Sequence, residues 1–289
     1  MSEAAPQHHR FTQHAMATTF DVIINHADAD ETYAAQAAQA VFQEIARLED
    51  ELSRFRASSD IYRLGQLQAG ESLLVGMAAW DCLSLAKAMH QEAAGAFDIT
   101  IGPLMSLFVT HEGEPRQVSK EVLAQAQTII GSHRFDLDEE TMRVTVHASN
   151  MIFDLGAMGK GYALDQAADL LQDWKISNFV LNAGDSTILA IGSPSGKDAW
   201  SITLGAGARH LALTNRSVSG SGFAVKGAHI MNPRLFTPVP LKNRRTYALA
   251  PTAALSDALS TAFMVMAPDE ITALCERYEG VEALELEMS

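Results

Sequence analysis

DLGAMGKGYALD, residues 154–165, joins a short apolar run to a helix-spaced pattern, and the rest of the chain is arranged around that junction. Met151, Ile152 and Phe153 before it predict a strand entering a core. After it, Tyr162, Ala163, Ala167, Leu170 and Leu171 recur at helical spacing. Between the two stand Gly156, Gly159, Gly161 and Lys160. A glycine-rich turn running into a helix presents unpaired backbone N–H groups and the positive end of the dipole, and Lys160 adds a full charge. Those are the parts of a phosphate site, although the spacing fits neither the Walker-A pattern nor the dinucleotide fingerprint. A tight strand-to-helix turn that uses glycine for positive φ accounts for the same residues, and both readings stay open at this point.

Upstream, TTFDVIIN (18–25) predicts a first strand. Ala34, Ala38, Val41, Ile45, Leu48 and Leu52 then mark one face of a long amphipathic helix. A second helix is expected over 77–94, stopped by Gly95. GAFDITIGPL (95–104) mixes an aromatic, a carboxylate and Gly-Pro, and reads as a shaped loop. The polar run 110–117 is the candidate for a mobile excursion. A helix over 119–130 and two strands, 134–137 and 143–147, lead back to Asp154. Downstream the pattern is β-rich, with strands expected at 179–182, 187–191, 200–204, 210–214, 228–231 and 246–250. Helices over 255–266 and 269–278 and a last strand over 281–286 close the chain. The elements do not alternate as βαβ units, so the expected class is α+β, mixed or antiparallel sheets with packed helices.

At 289 residues, 47% hydrophobic and 19% charged, the chain is globular and long enough for one large domain or two intimately associated lobes. The expected division is an N-terminal tail over 1–15, with His8, His9 and His14 in solvent, and a single catalytic domain over 16–289. A formal charge of −14 argues against a nucleic-acid partner. Cys82 and Cys275 lie in apolar helical patterns with no second thiol nearby, as buried inert thiols do. No run approaches the roughly 20 apolar residues of a membrane helix. The first residues show no apolar signal core and no lipobox-like cysteine. A cytoplasmic chain is therefore expected, or a periplasmic one if a leader has been trimmed away.

Three further constellations can carry chemistry. Asp257, Ser260 and Thr261 fall at i, i+3 and i+4, three oxygens on one helical face suited to a hard cation such as Mg²⁺. An acid near a helix start, with hydroxyls bonding back to carbonyls, explains them equally. NAGDS (182–186) reads as a hairpin turn. SVSGSGF (217–223) reads as a flexible Ser/Gly loop leading to His229 in HIMNPR (229–234), a histidine placed to line a cleft.

Taken together these segments resemble the ApbE family, the FAD:protein FMN transferases, from Met16 to about Met266. Met16-Ala17-Thr18 resembles the family's Met-Gly-Thr, and residues 52–61 its Ser-x-aromatic segment. GAFDITIGPL and DLGAMGKGYALD are near the family patterns. NAGDS is similar to an Asn-x-Gly-Gly-Asp turn, HIMNPR to His-Ile-Ile-Asp-Pro-Arg, and SDALSTAFMV to Ala-Asp-Ala-x-x-Thr. The resemblance implies an ApbE-like fold and Mg²⁺-dependent cleavage of FAD. AMP would leave and FMN would be esterified to a Thr hydroxyl of an acceptor flavoprotein. It places FAD contacts at Met16, Phe55, Ala96, Phe97, Asp98, Asp154, Lys160 and Met231. It places Mg²⁺ on the Ala157 carbonyl with Asp257, Ser260 and Thr261, and makes His229 the general base, with Lys160 also acting in catalysis. Alternatives with the same pocket are a flavin-storage protein and a slow metal-dependent FAD pyrophosphatase. The sequence departs from the family at Ala17, at the single Gly184 before Asp185, at Ser219-Gly220-Ser221-Gly222-Phe223, which lacks the loop's acid and following Arg, and at Leu235-Phe236. These departures imply altered partner specificity or weakened transfer rather than loss of FAD binding.

Overall fold

The computed structural model describes residues 8–109, 116–184, 186–204, 209–222, 230–240 and 244–287. The first element is a hairpin of β1 (His8–Ala15) and β2 (Thr18–Asn25), with His8 opposite Asn25 and Ala15 opposite Thr18. The expected tail is thereby corrected from His8 onward. Alternate residues Phe11 and Ala15 reach the core while His8, Arg10, Thr12 and His14 are exposed, an edge strand hidden in the sequence by its polar outer row. The two-residue turn, Met16-Ala17, has both φ values positive, 48° and 56°, as a type I′ hairpin requires.

α1 (Glu31–Leu52) is capped by the Asp30 carboxylate, which accepts the Tyr33 N–H at 2.9 Å. α2 (Asp60–Gly65), capped by Ser59, precedes β3 (Ser72–Leu74), α3 (Met77–Glu92), α4 (Gly102–Phe108) and α5 (Lys120–Gln127). β4 (Phe135–Asp138) and β5 (Arg143–Val146) join β3 in a small antiparallel sheet. Residues 151–153 belong to no sheet. Met151 and Phe153 are buried, so their apolarity marks core without marking a ladder.

α6 (Gly159–Asp173) leads to β6 (Phe179–Ala183) and β7 (Thr187–Ile191). β8 (Trp200–Leu204) and β9 (Arg209–Leu213) form a separate hairpin, and β10 (Arg216–Gly222) returns to the main sheet. β11 (Met231–Asn232) pairs with β12 (Thr237–Pro238), and β13 (Arg244–Ala250), α7 (Ala253–Phe263), α8 (Pro268–Arg277) and β14 (Glu282–Glu287) follow. The main sheet has seven strands in the order β1-β2-β6-β7-β10-β13-β14, all antiparallel.

Period-2 alternation divides that sheet between two cores. Phe20, Ile24, Phe179, Leu181, Leu189 and Ala248 face α1, α6 and α7, while Val180, Val218, Tyr247 and Leu249 face Trp200 and Leu213 of the β8–β9 hairpin. β10 corrects the flexible loop expected over 217–223, because through Gly222 it is an interior strand between β7 and β13. Its helix-facing row is Ser217, Ser219 and Ser221, so no hydrophobic alternation betrays it. Gly220 stands opposite Tyr247, and a Cβ there would come within 2.6 Å of the tyrosine ring.

Candidate active site

α6 begins at Met158 without a side-chain cap, so its first N–H groups need other partners. Gly161, the third residue of the helix, precedes the first intrahelical bond, which runs from the Tyr162 N–H to the Met158 carbonyl. The Gly161 N–H donates to Asp257 Oδ2 of α7 at 3.2 Å. No backbone N–H among the described residues bonds the Ala157 carbonyl, which is left free to accept. The two helices meet at backbone level because Gly161 has no side chain; a Cβ there would fall on the Ala253 carbonyl. Lys160 Nζ donates to the Gly156 carbonyl at 3.1 Å and lies 3.4 Å from Asp257 Oδ2. The ion pair is largely shielded, with side chains 17% and 6% exposed. One turn further along α6, Asp165 accepts the Ala253 and Ala254 N–H groups at 2.7 and 2.8 Å and so caps α7. Burial pushes its carboxyl up to about 6, against the pull of those two amides. The sequence reading gave Asp165 no role, and its spacing from Ala253 offers no signal.

The metal set expected from the sequence is brought together in part. Asp257 and Thr261 share one stripe of α7. Ser260 is fully buried, and its Oγ donates to the Asp257 carbonyl at 2.9 Å. Ser221 Oγ bridges Ser260 Oγ at 2.9 Å and Thr261 Oγ1 at 3.0 Å. The remaining β10–α7 contact is also built of hydroxyls: Ser256 Oγ lies 2.8 Å from Ser217 Oγ and 2.7 Å from Ser219 Oγ. Thr246 Oγ1 donates to the Ser260 carbonyl at 2.8 Å.

On the other side of Lys160, Asp154 Oδ1 accepts the Gly156 N–H at 2.8 Å, and its carboxylate lies 3.5 Å from Arg54 Nε. The Arg54 guanidinium covers the Phe55 ring at 4.5 Å, yet Phe55 remains 79% exposed. Arg54, Phe55, Ile61, Tyr62 and residues 151–153 line a cleft of about 240 Å³. Arg54 was not singled out from sequence, although it adjoins Phe55. Met16 lies at the same end of the sheet as Ser221. The Met16-Ala17 turn, Gly184, whose N–H donates to Thr19, and Gly220, whose N–H donates to Ser186, follow one another across the ladder there.

Ala96, Phe97 and Asp98 are buried between α3 and α4. Asp98 Oδ1 accepts Thr100 N–H and Oγ1–H at 2.8 and 2.6 Å, and Oδ2 accepts Ser132 N–H at 3.0 Å and lies 3.2 Å from His90 Nδ1. Burial alone would raise its carboxyl, but the His90 and Thr100 bonds outweigh that and lower it. His90 is raised in turn, chiefly by its bond to Asp98. The structure thus occupies both Asp98 oxygens within the protein and makes the residue a fastening for its loop. Met231 is buried with Leu104, Ala126 and Ile130. Arg234 of the Asn-Pro-Arg segment clamps the end of α3, donating to the Ala93 and Ala94 carbonyls at 2.8 and 2.9 Å. His229 and Asp185, like the His111–Glu114 run, lie outside the described residues.

Fold and site together define an antiparallel sheet protein that sets a lysine-bearing helix N-terminus against a buried carboxylate. The family model described as "ApbE family" matches residues 16–285, and the chain belongs to that family. A Haemophilus influenzae protein named FAD:protein FMN transferase is 26% identical over 247 residues, 78% of this chain and 71% of that protein. One of the same name from Escherichia coli is 22% identical over 249 residues, covering 80% and 70%. Among solved structures, the apo form of Pseudomonas stutzeri flavinyl transferase ApbE matches with TM-score 0.86 at 22% identity, covering 99% of this chain and 94% of that one. The ApbE protein of Thermotoga maritima matches with TM-score 0.82 at 24% identity, covering 96% and 94%. These matches establish the α+β fold expected from the sequence. No helix among the described residues is long and apolar enough to cross a membrane.

Proposed function

We propose that this chain is a Mg²⁺-dependent FAD:protein FMN transferase acting on a threonine hydroxyl of an acceptor flavoprotein. The observation that carries the reading is the meeting of the open α6 N-terminus, Lys160 and Asp257 at one point, and relatives named FAD:protein FMN transferase support it. The donors suit Mg²⁺: a buried carboxylate, the Ala157 carbonyl just ahead of the helix and the Thr261 hydroxyl are all hard oxygens. Bound there, the ion would withdraw charge from the phosphate oxygens. Lys160 and the α6 N-terminus neutralise the pyrophosphate, and Phe55 offers its open face to a planar ring. Ser260, fully buried and bonded to the Asp257 backbone carbonyl and to Ser221, fastens α7 to β10 rather than meeting the ligand. His229 takes the proton of the acceptor hydroxyl as that oxygen attacks the FMN phosphorus. The bond from that phosphorus to the bridging oxygen breaks, and AMP leaves with the oxygen.

The test is incubation with FAD, Mg²⁺ and a candidate acceptor domain, read by flavin fluorescence on denaturing gels and by chromatography of nucleotides. Labelled acceptor is expected, absent with Asp257→Ala and strongly reduced with His229→Ala. Free FMN and AMP without labelling would replace the reading by hydrolysis, and intact bound FAD by storage.

A further inference from the structure

Ser221, within the segment where the sequence lacks the family loop's acid, ends the hydroxyl row of β10 beside the cation donors. Half-buried, it reaches Ser260 Oγ at 2.9 Å and Thr261 Oγ1 at 3.0 Å. Thr261 lies one turn beyond Asp257 on α7. Among the groups that would touch the ion the charges cancel: Asp257 supplies one negative charge, Lys160 Nζ stands 3.4 Å away, and Ser221, Thr261 and the Ala157 carbonyl are neutral, while Asp165 spends its two oxygens on the Ala253 and Ala254 N–H groups. A small divalent cation gives up water reluctantly, and its affinity follows the number of charged ligands. A site of net charge zero holds it weakly, whereas a diphosphate brings the missing negative charge and a competing partner for the ammonium.

We propose that Ser221 belongs to the cation site and that its neutrality makes divalent-cation binding conditional on the diphosphate. The inference rests on the functional reading above. Lys160 holds the place of the metal beside Asp257 until a pyrophosphate draws the ammonium toward itself and opens the carboxylate, still held by the Gly161 N–H, to the cation. An acid at position 221 would supply that charge permanently.

Mn²⁺, titrated against the full chain and followed by the loss of the free-ion EPR signal, tests this without any turnover. Wild type alone should bind with a Kd on the order of 10⁻³ M, and saturating FAD should tighten it about tenfold or more. Ser221→Asp should bind Mn²⁺ about tenfold more tightly than wild type without FAD, and gain less when FAD is added. Lys160→Met, which frees Asp257 without loading the β10–α7 seam, should shift Mn²⁺ binding the same way and serves if the aspartate variant does not fold. Wild type binding Mn²⁺ equally well with and without FAD would overturn the proposal, as would both variants matching wild type in its absence. FAD failing to bind at all while Ser221→Asp still gains Mn²⁺ would remove the flavin reading and leave Ser221 in the cation site.

Discussion

Gly161→Ala tests whether backbone contact between α6 and α7 builds the site. Two effects oppose each other. Alanine in a helix interior gains about 1 kcal/mol over glycine. Against this, the new Cβ would overlap the Ala253 carbonyl and lie 2.7 Å from Ala254 N, atoms that no rotamer change can move. Restoring ordinary contact of about 3.5 Å requires the helices to part by roughly 1 Å. Overpacking of that kind costs about 1–3 kcal/mol. The same movement stretches the 3.2 Å bond from Gly161 N–H to the Asp257 carboxylate, a charged hydrogen bond worth about 1.5–3 kcal/mol. The clash wins, with a net loss of about 2–4 kcal/mol and a Tm lower by roughly 4–16 °C. Urea unfolding followed by circular dichroism measures the first quantity. FAD turnover, assayed where the variant is still folded, should fall about a hundredfold because Asp257 is displaced. A variant as stable as wild type, or more stable, would mean that propensity prevails and that the helices do not touch at Gly161.

Phe55→Ala should leave stability within about 0.5 kcal/mol, since the ring is 79% exposed, yet weaken FAD binding about tenfold; unchanged affinity in a fluorescence titration removes Phe55 from the pocket. Ser256→Ala takes a partner from both Ser217 and Ser219 and should cost about 1–2 kcal/mol in urea unfolding; a neutral result would mean the hydroxyl row contributes nothing. The His90–Asp98 pair gives stability a defined pH window. His90 is raised, so its contribution is complete below about pH 6.5 and is lost as pH climbs through its folded value. Asp98 is lowered, so its contribution is complete above about pH 4 and is lost as pH falls through its folded value. His90→Asn should flatten the alkaline loss of the urea midpoint, and an unchanged slope there would exclude the pair as its source.

What the sequence revealed follows from where apolar side chains carry the information. Thr18–Asn25, Thr187–Ile191 and Trp200–Leu204 match their expected bounds because each alternates or runs apolar into a core. β1 and β10 escaped for one reason: a strand whose informative row is polar has no hydrophobic period, and the partners of Ser217, Ser219 and Ser221 lie about forty residues downstream. The phosphate reading of residues 154–165 gained its carboxylate only through tertiary contact, since Gly161 and Asp257 are 96 residues apart. Asp98 shows the same limit. Nothing in GAFDITIGPL announces that its buried acid also fastens the loop, through the amides of Thr100 and Ser132.

The hydroxyl row between β10 and α7 also bears on how this protein can change over generations. Aliphatic packing tolerates sliding and gradual substitution, whereas O–H bonds are directional and each serine here satisfies another. A slip of α7 by one turn, about 5.4 Å, would break every cross-seam bond of the row at once, so the helix is either latched or released. A single replacement along the row removes a cross-seam partner, and the hydroxyl opposite falls back on its own element, as Ser217 does on the Ile188 carbonyl and Ser256 on the Ala253 carbonyl. Drift toward a greasy interface loses least by paired exchange across the seam, and Asp257 shares the fixity of its neighbours while tying α7 to α6 through the Gly161 N–H.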